Sequence, residues 1–476
     1  MSFTSLSFII FISLAFLVFK IARYKWQSLL LISILYYASY SPKAFVYLFF
    51  VIVSTYLAGL YLEKKKSKVF LSLVLLLNFG LLGLVKFTSF SLFKNIIPLG
   101  ISFYIFMATS YVIDIYRKKY KAQRNIFKYA LFVSFFPQMV QGPIGRYDEL
   151  EGNLYGGNSN SRDISYGLLL ILFGYFKKLV IADRASILTA KVFSSPDEFS
   201  GIFVFIAIIF YSIQIYGDFS GGIDVARGVA YLFGIKLPEN FKRPFFADSL
   251  TDYWRRWHIT LGAWMRDYVF YPLSLSRIFA YINKKSRRTL GRKFGKYLTL
   301  SISTFVVYFI IGIWHGAGLN FIVFGIYNGL LITLGLLFED NFKKIKDSFG
   351  ISPTSKALKL FQIIRTSLLV FIGRYFTRSE NLSQAIFMLK KTFTDRNFRF
   401  GQIGLKASDY LILFVSVLIL FIISYSEEKN IDVKEKILEF RPYWQFVFIF
   451  LALAYVLYFG IFSSNFTAVD FIYRNY

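Results

Sequence analysis

The chain contains no cysteine, and this absence excludes several kinds of chemistry. Without a thiol there is no disulfide framework, no thiolate metal site, no cysteine nucleophile and no palmitoylation of this chain. Acidic residues are also few, with 27 Asp and Glu against 55 Lys and Arg, and charged residues make up only 17% of the 476 residues. Because soluble chains have about 25% charged residues, this composition excludes an ordinary soluble protein. The high apolar content excludes a disordered one.

The abundant residues are apolar and aromatic, at 56% and 21% of the chain. The mean hydropathy of +0.53 indicates a membrane protein with several spans. The net charge of +28 falls in short basic clusters between the apolar runs. Lys and Arg concentrate in the cytoplasmic loops of membrane proteins, so topology explains this charge without a nucleic-acid partner.

Apolar runs of about 20 residues predict the membrane-spanning helices. We expect an all-α fold, because no segment alternates as a lipid-facing barrel strand does. The first basic residue, Lys20, follows the apolar run 6–19, an order that suits a first spanning helix with its N-terminus outside rather than a cleaved signal peptide. Basic clusters after the first, third and fifth helices place that side in the cytoplasm. About eleven to thirteen spans are predicted, near residues 4–20, 28–42, 43–62, 68–86, 96–116, 127–142, 164–182, 199–217, 297–313, 318–338, 359–375, 408–424 and 442–463.

The stretch from about 218 to 296 contains no clean apolar run of this length and mixes Gly, Pro, aromatic and charged residues. Two interpretations stay open: a large cytoplasmic loop, or helices and re-entrant segments packed inside the membrane protein, where buried irregular backbone is tolerated. The dense Trp and Tyr favour the second interpretation. The basic run 277–296 predicts a cytoplasmic loop beside anionic headgroups. Since no repeat or long linker divides the chain, we expect one membrane-embedded domain over 1–476.

His315 is one of only two histidines, and histidine is the usual general base near neutral pH. It lies between two apolar helices and is followed by glycines, in IIGIWHGAGLNF (310–321). Polar groups at membrane depth are costly and are functional candidates by default. The alternative is a structural histidine that is hydrogen-bonded across a helix pair.

His258, the second histidine, follows the sequence Trp-Arg-Arg-Trp. On a helix it shares a face with Trp254 and Gly262. The basic neighbours are expected to lower its pKa, which favours a neutral imidazole able to form hydrogen bonds. The alternative is an interfacial histidine in an aromatic and basic helix.

Other catalytic motifs are missing. Two histidines far apart in the chain, with no cysteine and no HExxH spacing, do not predict a metal site, and there is no Walker loop, GxGxxG or GxSxG. Four aspartates lie in or beside apolar segments, and each either carries a proton in a transporter or pairs with a neighbouring Lys or Arg. These are Asp114, Asp183, Asp218 and Asp224.

Six segments together resemble one family, the membrane-bound O-acyltransferases, and within it the bacterial branch of alginate O-acetylases and teichoic-acid D-alanyl transferases. In the GDFSG segment the chain continues with Gly222, where this branch more often has a polar or aromatic run, so the segment follows the family pattern more closely than the pattern of one subfamily. The segments that carry the resemblance are 97–117, 134–150, 174–184, 211–245, 249–273 (SLTDYWRRWHITLGAWMRDYVFYPL) and 312–329 (GIWHGAGLNFIVFGIYNG).

The resemblance implies a ring of tilted helices around a central tunnel, with a catalytic core at about 96–340 and C-terminal helices at about 359–476. It matches His315 to the family's near-invariant histidine and His258 to the second histidine of this branch. His315 is therefore predicted as the base and His258 as a group that orients substrate or stabilises charge. The predicted substrate-binding residues, each with packing as its alternative role, are Trp314, Asn320, Gln138, Gln141, Arg146 and Asp218.

The expected reaction moves an acyl group, with acetyl preferred, from a cytosolic thioester to a hydroxyl of a cell-surface polysaccharide or of a relay partner protein. The expected donor is acetyl-CoA or an acyl carrier protein, with no bound cofactor or metal and with membrane lipids as surroundings. The expected location is the bacterial cytoplasmic membrane. Alternatives are D-alanyl transfer to teichoic acid from a carrier protein, lipid acylation, and a secondary transporter without catalysis.

Overall fold

The computed structural model describes residues 2–40, 42–87, 98–352, 354–397 and 405–462. Within them, α-helices alternate with irregular segments, and one isolated antiparallel bridge joins Phe241 to Trp257. The first eleven helices are α1 (Leu6–Ile21), α2 (Lys25–Tyr40), α3 (Phe45–Lys64), α4 (Lys68–Phe87), α5 (Ile101–Tyr116), α6 (Ile126–Ser134), α7 (Phe136–Gln141), α8 (Tyr147–Gly156), α9 (Ser161–Tyr175), α10 (Asp183–Ser194) and α11 (Gly201–Leu232). The others are α12 (Leu250–Arg256), α13 (Ile259–Met265), α14 (Tyr271–Ser274), α15 (Arg277–Thr289), α16 (Arg292–His315), α17 (Leu319–Leu337), α18 (Glu339–Ser348), α19 (Lys356–Arg378), α20 (Leu382–Thr394), α21 (Ala407–Glu428), α22 (Val433–Leu438) and α23 (Pro442–Phe459).

The chain forms two compact units. The first comprises residues 1–186, 213–239 and 405–476, and the second comprises 187–212 and 240–404. The prediction of a single domain over the whole chain stays a prediction, as does the division into a core at 96–340 and C-terminal helices at 359–476. Residues 463–476, at the end of that last range, lie outside the described residues.

Side-chain caps start many of these helices, because the first N–H groups of a helix have no partner within it. Asn160, for example, accepts a hydrogen bond from the backbone N–H of Asp163 at the start of α9. The residues that cap a helix in this way are Ser5, Asn125, Asn160, Ser249, Ser276, Ser355, Asn381 and Asp432.

Eight helical segments among the described residues are long and apolar enough to cross a membrane. Two apolar helices of 16 residues, α1 and α5, add to them. The chain is therefore an all-α, multi-pass membrane protein, which confirms the predicted fold class. The eight segments are Phe45–Lys64, Lys68–Phe87, Ser161–Ser194, Gly201–Leu232, Tyr297–His315, Leu319–Leu337, Ala407–Glu428 and Pro442–Phe459.

Several predicted spans differ in the structure, and those at 28–42 and 359–375 are not among the eight segments. The apolar run 127–142 forms α6 and α7, of nine and six residues, which are too short to span. The helix breaks at Phe135, which leaves the helical conformation, and Pro137 starts the next helix in its first turn, where a missing N–H costs little. The run predicted at 199–217 instead continues to residue 232 as α11, so the Gly-rich stretch 217–224 is helical rather than irregular.

Close backbone contact with α9 explains why glycines are tolerated inside α11. A Cβ atom added at Gly174 would lie 2.6 Å from the carbonyl oxygen of Gly221, and one added at Gly167 would lie 2.7 Å from that of Gly228. Small residues allow helix backbones to approach closely in membrane proteins. These contacts stabilise the first unit at positions where a side chain would force the two helices apart.

A π-helical segment, Phe176–Ala182, joins α9 to α10 within one continuous helical stretch, Ser161–Ser194. Single π-helical turns inside α-helices often occur at functional sites. Here the segment carries Lys177 and Lys178, whose side chains are both buried in the first unit.

Candidate active site

Both histidines of the chain lie in the second unit, where they line one cavity of about 260 Å³. Both are buried, with 3% of His258 and 8% of His315 exposed. The walls are mainly aromatic and aliphatic, as in most small-molecule sites. The residues that line the cavity are Trp254, Trp257, His258, Leu261, Gly262, Met265, Arg266, Phe270, Thr304, Val307, Tyr308, Ile311 and His315.

His315 is the last residue of α16, directly before the short connection to α17. These two helices pack against each other through glycines on both sides. A Cβ atom at Gly312 would lie 2.6 Å from the carbonyl oxygen of Phe321, and one at Gly325 would lie 2.6 Å from that of Tyr308. The glycines of this segment therefore bring the helices together and place His315 at the closed end of a helical hairpin.

His258 does not lie on a helix, so the prediction that it shares a helical face with Trp254 and Gly262 is wrong. It joins α12 to α13 in the left-handed conformation, at φ 50° and ψ 52°. This region is sparsely populated by residues other than glycine, and such strain often occurs at functional sites. The tight turn separates the two helices and presents the imidazole to the cavity.

The segment that begins at Asn240 holds this turn. The backbone N–H of Lys242 donates to the carbonyl of Arg256 over 2.9 Å, and that of Ile259 donates to the carbonyl of Asn240 over 3.0 Å. The bridge between Phe241 and Trp257 lies between these two bonds. A segment some eighteen positions earlier thereby fixes the backbone on both sides of His258.

The Asn240 side chain also contacts the turn and is fully buried. Its Oδ1 accepts hydrogen bonds from the backbone N–H of Thr260 over 3.0 Å and from the Thr260 hydroxyl over 2.9 Å. The same oxygen lies 3.3 Å from Nδ1 of His258. Burial lowers the pKa of His258 to about 3, against the opposing effect of a ring hydrogen bond to its own backbone, so the imidazole is neutral at physiological pH.

Trp314 lies between the two imidazoles. The centre of its ring lies 5.9 Å from that of His258 and 4.9 Å from that of His315, and both pairs are edge-on. One indole therefore contacts both predicted catalytic side chains, whereas the predicted role of Trp314 in substrate binding stays a prediction.

Asn320 links two helices of the second unit. Its Nδ2 donates to the carbonyl oxygens of Phe376 and Ser379, each over 3.0 Å. These bonds tie the start of α17 to the end of α19, and Asn320 is not among the residues that line the cavity. These bonds are those of a packing residue, which was its alternative role, and its part in substrate binding stays a prediction.

Arg374 is a buried cation of this unit that no sequence motif had indicated. Its Nη2 donates to the Tyr253 hydroxyl over 2.6 Å, and its guanidinium lies 4.7 Å from the centre of the Trp257 ring. The rings of Tyr253 and Trp257 are stacked at 5.7 Å. A planar guanidinium suits this contact better than an ammonium does, so Arg374 supports one wall of the cavity from behind.

Residues 33–371 match the membrane-bound O-acyltransferase family. The chain belongs to this family. The match covers more than half of the chain and includes both histidines and every residue that lines their cavity. The predicted family and enzyme class, an O-acyltransferase of the membrane, are thereby confirmed.

The names of individual relatives of this O-acyltransferase refer to alginate, peptidoglycan or teichoic acid. A probable alginate O-acetylase of Pseudomonas syringae pv. tomato is 29% identical over 404 residues, which cover 80% of this chain and 72% of the relative. A peptidoglycan O-acetyltransferase of Helicobacter pylori is 30% identical over 427 residues, 80% of this chain and 76% of the relative. A teichoic acid D-alanyltransferase of Bacillus subtilis is 29% identical over 284 residues, which cover 58% of this chain and 67% of the relative. The chain spans only about half the length of some relatives, such as 54% of a probable alginate O-acetylase of Pseudomonas fluorescens.

The other predicted binding residues of this O-acyltransferase, Gln138, Gln141, Arg146 and Asp218, belong to the first unit. Gln138 donates from Nε2 to the carbonyl of Pro143 over 2.8 Å and so holds the turn that follows α7. Arg146 is buried at the start of α8. That these residues shape the same tunnel as the histidines stays a prediction.

Gln141 is the most unusual of the four. It is fully buried, and among the described residues neither atom of its amide has a hydrogen-bond partner. Such an arrangement is costly and is kept mainly where function requires it. A Cβ atom added at Gly222 would lie 2.9 Å from the amide carbon of Gln141. The glycine that departs from the branch pattern therefore makes room for this amide.

All four aspartates of the apolar segments form ion pairs. Asp218 and Asp183 lie 2.6 and 2.8 Å from Nζ of Lys178. Asp224 lies 2.5 Å from Nζ of Lys177, and Asp114 lies 3.7 Å from Nζ of Lys119. Pairing with a neighbouring cation, one of the two predicted roles, thus accounts for each of them. The predicted role of Asp218 in substrate binding stays a prediction.

The chemistry of the site is that of histidine and aromatic side chains. Among the described residues, no group of three or more His, Asp or Glu side chains is placed to hold a metal ion.

Proposed function

We propose that this O-acyltransferase transfers an acyl group, acetyl in the first instance, from a cytosolic thioester across the membrane to a hydroxyl group. The hydroxyl belongs to a cell-surface polysaccharide or to a partner protein that relays the group. The observation that carries the proposal is the cavity between His258 and His315, in a chain of this family that has no cysteine to form an acyl-enzyme.

The proposed reaction needs a base, because a hydroxyl is a weak nucleophile at neutral pH. His315 takes the hydroxyl proton as the oxygen attacks the thioester carbonyl. The carbon–sulfur bond then breaks, an ester forms, and the thiolate leaves with the proton that the histidine returns. A positioned base contributes about 10²–10⁴ in rate. His258 orients the hydroxyl or stabilises the charge that develops on the carbonyl oxygen.

Acetyl transfer is preferred to D-alanyl transfer on the extent of similarity. The two O-acetyltransferase relatives match over 80% of this chain, whereas the D-alanyltransferase relative matches over 58%. The proposed donor is acetyl-CoA or an acyl carrier protein, and the proposed location is the bacterial cytoplasmic membrane, with the N-terminus outside.

The test uses purified protein in lipid nanodiscs with labelled acetyl-CoA, together with mass spectrometry of envelope glycans from cells that carry each variant. His315→Ala should abolish acyl transfer and leave insertion in the membrane unchanged, and His258→Ala should reduce transfer to an equal or smaller degree. Wild-type transfer by His315→Ala would refute the catalytic role. Loss of D-alanine instead of acetate from the envelope would favour the second reaction.

A further inference from the structure

The contact between Asn240 and His258 determines which nitrogen of the imidazole carries the proton. The orientation of the Asn240 amide is fixed by Thr260, whose backbone N–H can only donate. Rotating the amide by 180° would place its NH₂ group against this N–H, with two donors facing each other. The atom that faces His258 Nδ1 is therefore the amide oxygen, which can only accept.

A hydrogen bond between an oxygen acceptor and Nδ1 requires a proton on Nδ1. In a neutral imidazole the other nitrogen, Nε2, then carries the lone pair. The 3.3 Å separation is the longest of the three contacts to this oxygen, which is shared with both donors of Thr260. Such bonds are often long without substrate and shorten when it binds.

We propose that Asn240 is a positioning residue that holds His258 as the Nδ1–H tautomer and makes Nε2 a hydrogen-bond acceptor, which orients the substrate through an N–H or O–H group other than the hydroxyl whose proton His315 takes. The hydrogen bond from the substrate to Nε2 rests on the proposed function, whereas the assignment of the tautomer does not. The backbone bond from Ile259 to Asn240 adds to this, because it fixes both partners in the same register. In other histidine sites an acceptor bonded to Nδ1–H holds the imidazole in one tautomer and one orientation, and Asn240 does the same for His258.

Other titratable groups around His258 do not supply this acceptor. Those on the same cavity are His315, Tyr308 and Arg266, of which Arg266 pairs with Asp267 at 3.1 Å. Among the residues that the structure describes, none of those that line the cavity is a carboxylate.

The two-histidine composition makes the tautomer measurable. Protein labelled with ¹⁵N-histidine, carrying a non-histidine affinity tag, gives one ring spectrum for each of two residues, and His315→Gln leaves that of His258 alone. We expect ¹⁵N–¹H coupling at Nδ1 and none at Nε2 at pH 7. A proton on Nε2, an imidazolium or an equal mixture of tautomers in the wild-type spectrum would overturn the proposal.

Three variants separate positioning from packing. Asn240→Asp retains the acceptor and adds a negative charge, so the Nδ1 proton should remain and the acidic limb of kcat/KM against pH should move up by about 1–3 units. Asn240→Leu should shift the population toward Nε2–H and lower kcat by up to about tenfold, the size expected for one hydrogen bond, with a smaller change in KM. Thr260→Val removes a donor to the same oxygen and should leave the tautomer unchanged.

Each result distinguishes this proposal from the proposed function. If Asn240→Leu fails to fold, the wild-type and Asn240→Asp spectra still decide the tautomer. An unchanged tautomer in a folded Asn240→Leu variant would contradict the role of Asn240. Absence of acyl transfer by the wild-type protein, with Nδ1–H observed, would instead refute the proposed function and leave the tautomer assignment intact.

Discussion

Replacing Lys178 with methionine tests how much the buried charges of the first unit contribute to stability. Lys178 lies 2.6 Å from Asp218 and 2.8 Å from Asp183, and no more than 6% of any of the three side chains is exposed. Methionine has a similar length and no charge. The variant therefore leaves two carboxylates without their shared cation, inside helices that span the membrane.

The expected loss follows from distance and burial. At an effective dielectric constant of about 20, unit charges at these separations attract by roughly 6 kcal/mol per pair. Most of this offsets the cost of removing the ions from water, so the net contribution is smaller. Removal of one partner of a buried pair costs about 3–5 kcal/mol, because the remaining charge is left uncompensated. We expect a loss of this size for Lys178→Met.

The assay is unfolding in detergent, followed by tryptophan fluorescence or by loss of the monodisperse chromatographic peak on heating. Arg162→Met is the matched control, because Arg162 also lies 2.6 Å from its partner, Glu435, but is 68% exposed. Exposed pairs contribute little, so its apparent Tm should barely change. The double variant Lys178→Met/Asp218→Asn should be more stable than Lys178→Met. Equal losses at the two sites, or a less stable double variant, would refute the reasoning.

Three further predictions test other features. Gly222→Ala places a Cβ 2.9 Å from the Gln141 amide and should cost about 1–3 kcal/mol in thermal unfolding, whereas Gly80→Ala, with nothing within 4 Å, should be neutral or stabilising by up to about 1 kcal/mol. Burial lowers the pKa of His258 to about 3, so in acid the unfolded chain binds a proton that the folded chain does not. The free energy of unfolding should therefore fall as the pH drops from 6.5 to 3, by roughly 2 kcal/mol at pH 5. His258→Asn should remove this part of the acid sensitivity. Arg374→Lys keeps the charge but loses the planar stacking contact, so the free energy of unfolding should fall by about 1–2 kcal/mol, and acyl transfer should fall with it.

The sequence predicts the spanning helices well, because span length and hydropathy are local properties. The helices predicted at 43–62 and 68–86 are Phe45–Lys64 and Lys68–Phe87 in the structure. The same local rule fails at 199–217, because the glycines and polar residues that follow look like a loop. Their helical state depends on contact with α9, which no local pattern of α11 contains.

The residues of the candidate site can be selected from the sequence, but their local structure depends on distant parts of the chain. Composition alone selects His258 and His315, since the chain has no other histidine and no cysteine. The left-handed turn at His258 depends on a bridge to residues near 240, so a helical pattern around the Trp-Arg-Arg-Trp sequence predicts the wrong local structure. Arg374 is separated from Tyr253 by 121 positions, and its role follows only from the folded chain.

The contacts between α9 and α11 also restrict how this chain can change during evolution. Gly174 meets the backbone at Gly221, and close by in sequence Lys178 meets Asp218, so contact distance and charge balance depend on the same two helices. A single substitution at any of these positions meets either a backbone atom or an uncompensated charge. Across descendants of this sequence, positions 178 and 218 should therefore vary together or not at all, whereas lipid-facing positions of the same helices drift freely.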